Sequence, residues 1–124
     1  MGTGGNILIA GFVIGGTTAK TVLIRGSGPA LAAFGVPGTL PDPKLQLFRA
    51  NSDGTSTLVQ ANTGWNGNAR IASTSAAVGA FSWGLAATPD SAVLVSLGPG
   101  SYTAQISGAS GDTGVALVEV YEVP

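Results

Sequence analysis

The chain has 124 residues, five Lys plus Arg, six Asp plus Glu and a net charge of −1, with neither histidine nor cysteine. That length suits one domain, residues 1–124, with a real hydrophobic core. The composition excludes disulfides, thiolate metal sites and imidazole-based catalysis, and it offers nucleic acid or an anionic membrane no electrostatic partner.

"NILIAGFVIGG" (6–16) is an apolar, β-branched run closed by two glycines, and it reads as a buried or edge strand. Gly11 inside it predicts a bulge or a close backbone approach. "KTVLIRGSG" (20–28) is the next strand, with Val22 and Ile24 on one face and Leu23 and Arg25 on the other. "PALAAFG" (29–35) predicts a short helical turn, with Pro29 at its start and Gly35 at its end. "VPGTLPDP" (36–43) is a loop, since three prolines and a glycine continue nothing regular.

"KLQLFRANSDGTSTLVQAN" (44–62) predicts a hairpin turning at Asp53-Gly54. Asn68 is placed to cap a helix over 69–78, where Ile71 and Val78 are seven apart. "SAVLVSLGPGSYTAQISG" (91–108) is strand, turn, strand. The closing stretch from Ser101 reads as a hairpin, and its last strand, "VALVEVYEV" (115–123), is apolar on both faces, which predicts a central position. About seven short strands with one or two helical turns predict an all-β, antiparallel β-sandwich of jelly-roll or immunoglobulin-like kind.

No apolar run approaches the roughly 18 residues of a membrane span. Residues 6–14 are too short and lack the basic flank of a signal peptide, so the Met1-Gly2 start reads as a cut at a domain boundary. Charged residues make up 9% of the chain, against about 25% in ordinary domains. Either the surface is polar and uncharged, or neighbouring copies or adjacent domains cover it.

The blocks "GTGGNILIAGFVIGG", "KTVLIRGSGPALAAFGVPGTLPDPKLQLF", "NTGW" and "GSYTAQISGASGDTGVALVEVYE" resemble a β-sandwich module of large secreted and surface proteins of environmental bacteria, often placed near the C-terminus. The closing residues also resemble, more weakly, bacterial pre-peptidase C-terminal domains. The resemblance implies an extracellular, non-catalytic module with no cofactor. It also implies a further strand ahead of "GTG". A sheet short of that strand exposes an edge to strand addition.

Arg25 and Glu119 lie in apolar strands and are candidates for a buried bidentate ion pair, the alternative being exposed tips at strand ends. Trp65, Trp83 and Tyr102 are candidates for a sugar-stacking platform, with Trp65 beside Asn62, Asn66 and Asn68 the strongest; the alternative is that Trp65 caps the core. Asp42, Asp53, Asp90 and Asp112 fall in loops, where turn chemistry is the favoured reading over calcium. "GSGP" and "GTGG" fit no phosphate-loop spacing, and nothing orders Ser27, Ser101 and Lys20 into a Ser–Lys pair.

The expectation is a non-enzymatic extracellular or cell-surface structural module. It would act as a filament, surface-layer or stalk element joined to copies of itself or to adjacent domains through sheet edges. A carbohydrate-binding module using Trp65, Asn62 and Asn66 is the alternative, with a glycan as partner.

Overall fold

The computed structural model of the chain describes residues 8–65, 68–80, 90–108 and 114–123, the Ala33 side chain excepted. Among these residues seven strands form: β1 (Leu8–Ile14), β2 (Lys20–Ser27), β3 (Pro43–Ala50), β4 (Ser56–Thr63), β5 (Ser91–Leu97), β6 (Gly100–Gly108) and β7 (Leu117–Val123). They build two sheets, ordered β1-β6-β3-β4 and β5-β2-β7, with every pairing between them antiparallel. The fold is therefore an all-β sandwich, as the strand spacing predicts.

The core follows from alternation. Val22 and Ile24 of β2 meet Leu45, Leu47, Ala104 and Ile106 from the facing sheet, all essentially without exposure. Leu23 points the other way, into a second cluster with Trp65, Ile71 and Ala92. This cluster lies on the outer face of the three-stranded sheet and brings in the helix α1 (Ala69–Ala77) as a third layer. Asn68 caps α1: its Oδ1 accepts from the Arg70 and Ile71 amides at 2.9 and 3.1 Å. Before β3, a single 3-10 turn runs Pro29–Phe34 and stops at Gly35, whose φ of 78° suits glycine.

The hairpin β3–β4 turns at residues 51–55 as expected. Asp53 Oδ1 accepts from the Thr55 amide and hydroxyl, and Gly54 takes a φ of 88°. One extra residue in β4 breaks the register between Leu47 and Phe48, which pair with Gln60 and Leu58.

Three sequence expectations are corrected. Gly11 carries no bulge, because β1 pairs with β6 in unbroken register from Leu8 to Ile14, and a Cβ there would come no nearer than 3.9 Å to the Tyr102 carbonyl oxygen. The closing stretch is not a hairpin, because β6 and β7 belong to different sheets. And β7 is an edge strand; the central strand of its sheet is β2. The reason for the last error is physical. Val118 and Val120 pack into the main core while Tyr121 and Val123 pack into the second cluster, so both faces are apolar although only one side of the strand pairs with a described strand.

Within the loop over residues 36–42, Thr39 forms a lone parallel bridge with Val115. The Leu40 amide donates to the Val115 carbonyl, and the Val115 amide donates to the Gly38 carbonyl, both at 2.8 Å. Gly28 and Gly114 pass so close to this segment that a Cβ on Gly28 would lie 2.2 Å from the Leu40 carbonyl oxygen, and one on Gly114 would lie 2.7 Å from the Leu40 Cα. The "GSGP" motif is thus a packing device.

Candidate functional site

The chemistry-bearing side chains gather on the outer side of the three-stranded sheet. Arg25 stands opposite Ala92 of β5 and Glu119 of β7 in the strand register. Its side chain is fully buried, and Nη1 lies 3.9 Å from Glu119 Oε1. That separation is a Coulombic contact beyond hydrogen-bond reach, so this contact is not the expected bidentate fork. Tyr121, two residues along the same face, donates its hydroxyl to Glu119 Oε2. Burial pushes the Arg25 guanidinium below its ordinary value, opposed by Glu119, then Tyr121 and Asp90.

The Tyr121 phenol is pushed up, first by its hydrogen bond to Glu119, then by desolvation and the Glu119 charge. A folded-state value above the unfolded one means the folded protein holds that proton more tightly. Its contribution to stability is complete below the unfolded value of about 10 and is lost as pH rises through the folded value. Alkaline unfolding followed by circular dichroism above pH 10 should therefore flatten in Tyr121→Phe relative to the parent.

A second polar node sits where the chain enters β5. Asp90 is completely buried, and its Oδ1 accepts from the Gly28 amide at 2.7 Å and the Ala30 amide at 3.1 Å. Its carbonyl accepts from the Trp65 amide at 2.8 Å. Ser91 Oγ donates to the Pro43 carbonyl and accepts from the Gly64 amide. Asn62 Oδ1 accepts from the Ala92 amide at 3.1 Å. These contacts tie the edge of one sheet to the edge of the other and anchor the 3-10 turn.

Trp65 is 5% exposed, its ring packed with Leu23, Ile71 and Ala92, so it offers no open face for a sugar. Tyr102 lies in the main core, stacked on Phe12 at 5.6 Å with its hydroxyl donated to the Gly98 carbonyl at 2.6 Å. The two rings therefore lie on opposite faces of the three-stranded sheet, and the expected stacking platform is not assembled from them. Trp83 and Asn66 lie outside the described residues. A cleft of about 240 Å³ does open beside Trp65, lined also by Asn62, Gln60, Asn68, Arg70 and Leu94. Neither Gln60 nor Arg70 stands out in the sequence, because a lone amide on a strand and a lone cation on a helix carry no local signal.

The loop aspartates are separated. Asp53 shapes the hairpin turn, Asp90 caps the 3-10 turn and Asp112 lies outside the described residues. Among the described residues no three His, Cys, Asp or Glu side chains gather as a metal site. Lys20 sits at the opposite end of β2 from Ser27 and pairs with Glu122 at 3.3 Å, while Ser101 is exposed on β6.

Comparison with known proteins adds little. No family model matches the chain, and no curated protein matches it. A crystal structure of a protein from Sulfurospirillum deleyianum aligns over 97% of this chain and 91% of its own, with 12% identity and a TM-score of 0.44.

Proposed function

We propose that the chain is a non-catalytic structural module of an extracellular or cell-surface protein, joined to neighbouring copies through the edge of β1 that no described strand pairs. The carrying observation is the character of that edge. Natural sandwiches blunt edge strands with charge, proline, bulges or a covering segment. β7 carries Glu119 and Glu122. β4 is interrupted by its bulge. β5 is met by the Asn62 side chain at Ala92. β1, "LIAGFVI", has no charge, no proline and no register break.

β1 also exposes two large apolar side chains on one face, Ile9 at 59% and Val13 at 72%. Beside it, a groove of about 270 Å³ separates β1 from β7 and reaches down to Ile14, Val22 and Val120. An added strand would pair with β1 and cover that groove, the mode by which sheets recruit extended segments. Pairing of β1 with β1 of a second copy closes as a two-fold dimer, whereas pairing with another edge propagates a filament. The low charge of the chain and its resemblance to surface-protein modules support the same reading.

Light scattering across a wide concentration range, with negative-stain microscopy, tests it. The parent chain should grow in mass with concentration. Val13→Lys, at an exposed site where substitutions cost about 0.5 kcal/mol or less, should stay monomeric while melting as the parent does. A parent chain that is monomeric at every concentration overturns the proposal.

A further inference from the structure

The cleft beside Trp65 is rich in hydrogen-bond donors. Asn62 and Asn68 both line it, and both have their amide oxygens occupied by backbone N–H groups: Ala92 for Asn62, Arg70 and Ile71 for Asn68. A backbone N–H can only donate, so the oxygen of each amide is held to the protein. Asn68, whose oxygen accepts two bonds, has only its Nδ2 donor left, whereas Asn62 keeps its Nδ2 donor and one oxygen lone pair; neither Nδ2 meets a partner among the described residues. Arg70 adds a guanidinium, a donor without acceptor capacity, and it forms no ion pair among the described residues. Gln60 completes the polar wall, while Trp65 and Leu94 supply apolar surface. Among the described residues no carboxylate lines the cleft.

We infer that this cleft binds a carboxylate-bearing sugar ring, a uronic acid residue of an acidic polysaccharide. Three observations converge on that class. The Arg70 guanidinium and the Asn68 Nδ2, both donor-only as they stand, call for an anionic oxygen pair, and guanidinium is the side chain best matched to a carboxylate. The mixed wall of amides, an indole edge and an aliphatic side chain suits a ring that carries hydroxyls on an apolar body. The volume, about 240 Å³, falls below the roughly 300–1,000 Å³ of sites for drug-sized ligands, so it takes a single ring. The carboxylate sits against Arg70 and Asn68, and the ring hydroxyls meet Asn62 and Gln60. Discrimination between acidic and neutral sugars then comes from the charge-assisted contact, and Trp65 acts as a wall of the cleft in place of an open stacking face.

The test is an NMR or calorimetric titration of the full chain with galacturonic acid and its trimer, run beside galactose as the uncharged counterpart. Binding of galacturonate with a Kd of about 1 mM or tighter is expected, with galactose at least about tenfold weaker. Asn68→Asp is the decisive variant. Aspartate caps a helix as well as asparagine does, so α1 stays formed, yet the Nδ2 donor is replaced by a second acceptor oxygen. It should weaken galacturonate binding by about tenfold or more, as should Arg70→Gln. Val13→Lys, on a different strand and outside the cleft, should bind as the parent does, which separates this site from the β1 edge. Absence of galacturonate binding, equal affinity for galactose, or undiminished binding by a folded Asn68→Asp variant overturns the inference.

Discussion

Glu119→Ala is expected to lower the free energy of unfolding by about 3 kcal/mol, measured in urea and read from the midpoint at unchanged slope. The substitution takes the opposite charge from a guanidinium that has no exposure to water, while its cross-strand place opposite β7 remains. It also takes the acceptor from the Tyr121 hydroxyl. The loss measures a buried charge stripped of its largest opposing charge more than the worth of the pair itself. A partner experiment distinguishes the two. Arg25→Met with Glu119→Leu removes both charges and keeps comparable volume, and buried pairs replaced in this way often lose little or gain stability. The double variant should therefore recover most of what Glu119→Ala loses, a strong coupling in the mutant cycle. Additive losses would show that the two residues act independently.

Gly28→Ala is expected to prevent stable folding altogether. The added Cβ would lie 2.2 Å from the Leu40 carbonyl oxygen and 3.2 Å from Pro43 Cδ. Relief requires moving backbone, and that backbone is pinned by the Leu40–Val115 hydrogen bond. Gly28 is itself pinned, since its amide donates to buried Asp90. A cost of about 4 kcal/mol or more falls among the exceptional single-site losses and is comparable to the whole stability of a marginal domain. Gly11→Ala is the control. Its Cβ meets nothing nearer than 3.9 Å, so replacing glycine within a strand should leave stability unchanged or raise it by about 0.5 kcal/mol. Thermal melts of the two variants side by side should separate sharply.

The contrast between these two glycines shows what was legible in the sequence. Local patterns carried through: the alternation in β2 and β3, the Asp53-Gly54 turn, the proline-started turn at Pro29 and the Asn68 cap all formed where the residues suggested. What failed depended on partners distant in the chain. Gly11 looks irregular because glycine weakens strands, yet its register with β6 is unbroken. Gly28 looks like one more turn glycine, and its demand for space comes from Leu40 across a loop. Asp90 caps a turn 62 residues before it, a relation with no local signature. The apolar faces of β7 reported two layers of packing and gave no information about its neighbours in the sheet. In the candidate site, Asn62 and Trp65 were visible as polar and aromatic residues in a loop-rich stretch. That the Asn68 amide has only its donor left became visible only when the backbone donors holding its oxygen were placed.

The strand order has a consequence for how the protein comes into being. Among the described strands, both neighbours of β2, and the neighbour of β1, come from the last third of the chain. Among them only the β3–β4 hairpin joins consecutive strands within a sheet. A hairpin closes in about 1–10 μs, but a fold dominated by such distant pairings assembles on the millisecond-to-second scale. During synthesis, at about 5–20 residues per second, β1 and β2 emerge first and then wait seconds for their partners. Throughout that interval the uncharged apolar β1 and the Val-Leu-Ile run of β2 are unpaired and open to any passing sheet edge. Newly made chains thus depend on being kept apart until β5, β6 and β7 arrive, and a crowded population of them risks joining before each has closed its own core.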